Sequence, residues 1–215
     1  MTIRDEPFTS VFSRALRGDA CRVVGLSDEP SDLPMGEWTR EADHDDLLLL
    51  KRCEGATLDI GCGPGRMAAA LARLGHAVLG IDVVPEAVEQ TRRRGASALQ
   101  RDLFDALPGE GRWQTALLAD GNVGIGGDPV ALLARTRNLV QPGGRVVAEL
   151  AEPGVPMSTR WVSLETGEAR SRPFPWSVVG VDDIDAVARQ AGLVVRSCDP
   201  LGTGPRWVAV LGAQP

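Results

Sequence analysis

The sequence predicts an α/β protein built around a parallel sheet, and three observations carry that expectation. Between residues 55 and 150, short apolar runs alternate with amphipathic segments, the rhythm of βα units joined by right-handed crossovers. A turn with three glycines in five positions, within LDIGCGPGR (58–66), joins the first run to the first helical segment. The second and third runs each end on an acid, Asp82 and Asp102.

The elements are well punctuated. ATLDI (56–60) reads as the first strand, and GRMAAALARL (65–74) as a helix stopped by Gly75. AVLGID (77–82) is the second strand. PEAVEQTRRR (85–94) opens on Pro and closes before Gly95, the asymmetry expected of a helix. ASALQRD (96–102) and WQTALLA (113–119) supply strands three and four. PVALLARTRNLV (129–140) places Leu132, Leu133, Thr136 and Leu139 at helical spacing, and PGG (142–144) turns it into strand five, RVVAEL (145–150).

The flanks differ from this centre. Residues 1–54 read as a helical, irregular cap or lid with a Pro- and Asp-rich loop over 27–38. ADHDDLLLLKRC (42–53) reads as a helix with an acidic start and a basic end. The rest, 55–215, reads as the ligand-binding domain, with an excursion over 151–180 that contains a hairpin around ETGE and then Phe174-Pro175-Trp176. A helix over 181–192 follows, and LVVRSC (193–198) and RWVAVLG (206–212) close the chain as a hairpin-like pair.

Composition narrows the function classes. The 215 residues suit one compact domain, and 43% apolar with 24% charged residues is ordinary for a globular protein. A net charge of −6 argues against nucleic acid, whose binders show a basic patch. TRRRG (91–95) is the only tight basic cluster, and it suits the end of a helix. No secretion signal or membrane-length apolar run is visible, so a cytoplasmic location without membrane contact is expected. Four cysteines without ligand spacing and two histidines, His44 and His76, suggest reduced thiols and no metal site.

The glycine turn sits where open α/β sheets bind ligands, beyond the carboxyl end of a strand. Its pattern is G-x-G-x-G, with Arg66 where a dinucleotide fingerprint wants its last glycine, and it lacks the Lys-Ser/Thr of a phosphate loop. Asp82, at the end of the second strand, is suited to accept both hydroxyls of a ribose.

With these residues in place, residues 55–150 resemble the class I S-adenosylmethionine (SAM)-dependent methyltransferases. LDIGCGPG matches the family's first motif, GIDVVPEAV (80–88) its second, QRDLF (100–104) its third, and LVQPGGRVVAEL (139–150) the approach to strand five. The resemblance implies a Rossmann-like, seven-stranded, mostly parallel sheet in the order 3-2-1-4-5-7-6, strand seven antiparallel, with helices on both faces and an N-terminal helical cap. It also implies roles for the cofactor SAM, released as S-adenosylhomocysteine after methyl transfer. Asp59 would orient the loop and the cofactor's amino group. Gly61, Cys62 and Gly63 would pass their backbone along the methionine portion, with Gly65 in the same cradle. Asp82 would hold the ribose, Val83 would lie against the adenine, and Asp102 and Leu103 would bond its edge.

The run after strand four, ADGNVGIGGDP (119–129), resembles that of a bacterial subgroup of the family and lacks the Asn/Asp-Pro-Pro-aromatic signature of base amino-methyltransferases. Strand-four ends face the transferred methyl in this family, so Asp120, also counted with the cofactor, and Asn122 are candidates there. His44 is the candidate base, since its ordinary pKa of about 6.5 suits proton transfer. Trp38 and Trp176 are candidate acceptor contacts under a lid. The expectation is methyl transfer to a small molecule in bacterial secondary or specialised metabolism, by a monomer or homodimer. Two alternatives stay open: transfer of the adenosyl or aminocarboxypropyl group to a soft nucleophile such as S, Se or As, and a non-catalytic SAM-binding regulator.

Overall fold

A computed structural model describes residues 4–167 and 169–213. The chain opens with strand β1 (Arg4–Glu6), helix α1 (Phe8–Leu16) and the short strands β2 (Arg22–Val24) and β3 (Ser31–Asp32). Two helices follow, α2 (Met35–Thr39) and α3 (His44–Leu50). α3 starts in a capping box: the Asp43 carboxylate accepts the Asp46 amide at 2.9 Å, and the Asp46 carboxylate accepts the Asp43 amide at 3.1 Å. That box points Asp46 inward with Leu49 and Leu50.

The alternating region supplies β4 (Thr57–Ile60), α4 (Arg66–Arg73), β5 (Val78–Asp82), α5 (Pro85–Arg93), β6 (Ser97–Gln100), β7 (Trp113–Leu118), α6 (Pro129–Leu139) and β8 (Val140–Leu150). β8 begins earlier than the sequence suggests. Val140 pairs with Trp113 and Arg145 with Thr115, so Pro142–Gly144 falls in a bulge within the strand instead of a turn before it.

The last third adds β9 (Ser158–Thr166), β10 (Ala169–Ser171), β11 (Phe174–Val178), α7 (Ile184–Gln190), β12 (Leu193–Pro200) and β13 (Trp207–Ala213). Glu168, in the ETGE turn, lies outside the described residues.

The principal sheet has seven strands in the order β12-β13-β8-β7-β4-β5-β6. Five adjacent strands, from β8 to the edge strand β6, are parallel, and β13 runs antiparallel to both β8 and β12. This is the expected 3-2-1-4-5-7-6 order. Alternation along the strands splits the core between two faces. Ala116, Leu118, Val146 and Ala148 meet α6 and α7 on one face. Leu117, Val147 and Val208 meet α3 and α4 on the other.

The cap departs from the helical expectation. β1, β2 and β3 join β10, β9 and β11 in a second sheet, in which β2 pairs antiparallel with β9, Val23 opposite Leu164. Two distant segments therefore build one layer. Neither buries its apolar face alone; together they enclose Val11, Ala15, Val23, Val162 and Leu164. Strands of two or three residues leave no periodic signal to read in the sequence.

Candidate active site

The loop between β4 and α4 owes its shape to glycine. Gly63 and Gly65 have φ of +52° and +87°, in the left-handed region. A Cβ on Gly65 would lie 2.7 Å from the Thr91 Cα, whereas nothing lies within 4 Å of the same position on Gly63. Gly65 is thus packed against α5, behind the loop, and does not line the cavity with the rest of the predicted cradle. Gly63 presents bare backbone to open space.

Side chains from neighbouring strands hold this loop. Asp82 at the end of β5 accepts the Gly63 amide at 2.9 Å through one carboxylate oxygen and the Val84 amide at 2.8 Å through the other. Thr91 on α5 donates to the Gly63 carbonyl at 2.9 Å. Asn122, in a 3-10 turn after β7, donates its amide to the Ile60 and Gly61 carbonyls at 2.9 and 3.0 Å. Its Nδ2 is therefore committed to shaping the loop.

A cavity of about 550 Å³ opens above these strand ends, within the range of small-ligand sites. One side is formed by Asp59, Gly61, Cys62, Gly63, Asp82 and Val83, with Asp102 and Leu103 at its end. The opposite side is aromatic and comes from the second sheet and the cap. Phe8 stacks on Phe12 at 5.4 Å between ring centroids, meets Phe174 edge-on at 4.7 Å, and Phe12 meets Trp38 at 5.9 Å. Trp38 and Trp176 both line this side. Phe8 and Phe12, an i, i+4 pair on α1, were not singled out by sequence, although that spacing is itself a signal.

Burial dominates the electrostatics. Asp59 is 1% exposed and its Oδ2 has no hydrogen-bond partner among the described residues. Burial first, then the charge of Asp120, push its carboxyl up to about 7, with Asp82 adding and Arg66 opposing. Burial also raises Asp82, against the two amides it accepts. The Cys62 thiol is raised by burial and by Asp59 and Asp82, which keeps it protonated and unreactive. Asp102 is exposed and accepts the Phe104 amide at 2.9 Å, so its carboxylate caps its own turn.

The acceptor candidates fare differently. Asp120 follows β7 with φ +51°, the only described non-glycine residue with positive φ. Its carboxylate lines the cavity and is ion-paired to Arg66 at 2.5 Å. Arg66, which the sequence suggested only as a departure from a glycine fingerprint, is 3% exposed and belongs to the site. His44 does not. It is exposed and absent from the cavity wall, because Asp46 takes the inward position and His44, two residues earlier, lies about 200° round the helix. Among the described residues no cluster of His, Cys, Asp or Glu could hold a metal, and no helix is long and apolar enough to cross a membrane.

Comparison with known proteins agrees with this geometry. A family described as a methyltransferase domain matches residues 57–144, the span from β4 into the bulge of β8. A SAM-dependent methyltransferase from Bacteroides fragilis, solved with S-adenosylhomocysteine, superposes with a TM-score of 0.81 at 20% identity, over 100% of this chain and 98% of that one. A Burkholderia thailandensis 1,6-didemethyltoxoflavin-N1-methyltransferase, solved with 1,6-didemethyltoxoflavin and S-adenosylhomocysteine, does so at 0.59 and 20% identity, covering 83% and 81%. Among curated sequences, an uncharacterized 37.1 kDa protein in transposon TN4556 of Streptomyces fradiae is 33% identical over 68% of this chain and 45% of its own length. The chain spans 39 to 59% of the length of the curated relatives it matches here.

A bare glycine backbone beside an acid at the second strand's end defines a nucleoside-type cradle on a Rossmann-like sheet. Residues 57–144 match the methyltransferase-domain family, and the whole chain has the fold of the SAM-dependent methyltransferase it superposes on. The residues present fit SAM: the unpaired Asp59 Oδ2 is an acceptor for an ammonium, and the space over Gly63 admits a ligand against the backbone.

Proposed function

We propose that the protein transfers a methyl group from SAM to a small, largely apolar acceptor in bacterial specialised metabolism. The observation that carries this reading is the division of one cavity between an acidic, glycine-lined side and an aromatic side. When bound, SAM supplies a methyl carbon activated by its sulfonium. Asp82, Asp59 and the Gly61–Gly63 backbone would hold it, with Val83 and Leu103 flanking the adenine. Phe12, Trp38, Phe174 and Trp176 offer flat apolar surface on which a planar acceptor stacks. The second sheet facing the cradle would supply proximity and orientation, the main needs of an in-line displacement. The Burkholderia neighbour, solved with 1,6-didemethyltoxoflavin and S-adenosylhomocysteine, supports the reading of a small-molecule acceptor.

The test is a screen of the purified protein with SAM and a panel of aromatic amines, phenols, nitrogen heterocycles and thiols, read by mass spectrometry. S-adenosylhomocysteine together with an acceptor heavier by one CH2 is the expected result. Methylthioadenosine or methionine as the co-product would replace methyl transfer by aminocarboxypropyl or adenosyl transfer. Binding of SAM with no co-product over the whole panel would favour a regulator.

A further inference from the structure

The strand ends that carry the cradle also carry a closed ring of four ion pairs and one backbone hydrogen bond that cofactor binding does not require. Asp46, 0% exposed on α3, accepts from Arg66 and, at 2.8 Å, from Arg206. The second terminal nitrogen of Arg66 reaches Asp120 Oδ1 at 2.5 Å. The Asp120 amide donates to Glu149 Oε2 at 2.9 Å, and Arg206 Nε donates to Glu149 Oε1 at 2.6 Å, which closes the circuit. Its five members come from α3, the start of α4, the end of β7, β8 and the β12–β13 connection. Arg40 adds a further guanidinium to Asp46 at 2.5 Å.

Only Arg66 and Asp120 of this ring line the cavity. The Asp120 side chain is 30% exposed, and its Oδ2 has no protein partner among the described residues. Both its carboxylate and its amide are gripped by the ring, in a left-handed backbone conformation that aspartate reaches more readily than most residues with a side chain. The arrangement fixes one carboxylate oxygen and leaves the other to the cavity.

We propose that the ring aims the Asp120 carboxylate at the methyl-transfer site, where it faces the positive charge of the reaction, and that Asp46, Glu149 and Arg206 are positioning residues. The inference rests on the methyl-transfer reading and adds the acceptor's class, a neutral N–H or O–H compound. As the acceptor's lone pair bonds to the methyl carbon, the electron pair of the C–S bond stays on sulfur and the acceptor becomes cationic. Asp120 Oδ2 accepts the acceptor's proton and returns it to water. A carboxylate already oriented requires no reorganisation at that moment.

The test needs no acceptor, because SAM is a sulfonium and S-adenosylhomocysteine a neutral thioether. Calorimetry on the whole protein gives the ratio of their affinities. Arg206→Gln lies outside the cavity and breaks the ring at a distance. It should lower SAM affinity about three- to tenfold while S-adenosylhomocysteine stays within twofold, as expected when a nearby opposite charge loosens. Asp120→Asn should lower the ratio at least as much. Should Arg206→Gln fail to fold, Glu149→Gln, of the same shape, carries the same expectation. An unchanged ratio, or an equal loss for both ligands, overturns the ring's role while leaving methyl transfer standing. Failure of the wild-type protein to bind either ligand overturns the methyl-transfer reading instead, and the proposal with it. In the acceptor screen, turnover of thiolates alone would overturn the neutral protic class.

Discussion

The two sides of the cavity were built by different means. The cradle side comes from one stretch, residues 59 to 103, and most of its contacts are backbone amides or side chains bonded to them, such as Asp82 on Gly63 and Val84. The aromatic side is assembled from α1, α2 and the second sheet, whose strands come from two segments, 4–32 and 158–178, far apart in the chain. Local turn chemistry dictates the first side, and tertiary pairing dictates the second. The proposed cofactor side is therefore the part whose geometry is written locally.

The largest expected effect tests whether the cradle side is electrostatically poised. Asp59 ionises near 4 in the unfolded chain and at about 7 in the fold. Between those values the folded protein holds a proton that the unfolded chain has released, so this group's contribution to stability falls as pH rises from about 4 to 7. It is level outside that window. The fall reaches at most about 4 kcal/mol, since each pH unit crossed in the window costs about 1.4 kcal/mol. Asp59→Asn has no such slope. Urea unfolding of both proteins from pH 4 to 8 should show the variant gaining steadily on the wild type up to about pH 7. Parallel curves would mean that Asp59 finds a partner in solution and that the cradle is not poised.

Two glycines sharpen the contrast between packing and binding. Gly65→Ala places a methyl against the Thr91 backbone at positive φ and should cost about 3 kcal/mol of stability. Gly63→Ala meets no protein atom, so its cost should be only about 1 kcal/mol, and the loss should appear in S-adenosylhomocysteine affinity instead. Equal stability losses would erase the distinction. Asp82→Ala should then remove about 2 kcal/mol of cofactor affinity, the worth of a charged hydrogen-bond partner, and leave the aromatic side unaltered. Unchanged affinity for SAM would be the adverse result.

These differences set what could be read from the chain. The order of strands and helices between 55 and 150 was legible because each element has its own period, cap or stop. Asp59, Gly63, Asp82 and Asp102 could be singled out because each lies in a short motif at or just beyond the end of its own strand. The second sheet was not, since β1, β2, β3 and β10 are too short to show alternation and acquire meaning only when β9 lies beside them. The ion-pair ring was equally hidden. Asp46 and Arg206 are 160 positions apart, and an arginine at the start of a helix looks like any surface cation until the fold buries it. Asn122 was legible as a site residue but not as a brace for the glycine loop, which takes a bond across two strands to see.

The smallest expected effect belongs to the residue with the most familiar chemistry. A histidine beside three aspartates suggests a base, yet α3 turns Asp46, Leu49 and Leu50 inward and leaves His44 exposed at its first turn. No cavity atom is contributed by it, and proton transfer requires a base within about 3 Å of the reacting group or one water away. His44→Ala should therefore leave S-adenosylhomocysteine affinity and turnover within twofold and stability within about 0.5 kcal/mol, the range of an exposed substitution. The loss of a catalytic base would instead cost about 10² to 10⁴ in rate and remove the acid limb of the pH profile. Measuring that profile on both proteins decides the matter. A preserved limb assigns the titration to the carboxyls of the cavity itself, Asp59, Asp82 or Asp120, and a lost one would require α3, and the ring closed through Asp46, to turn when the acceptor binds.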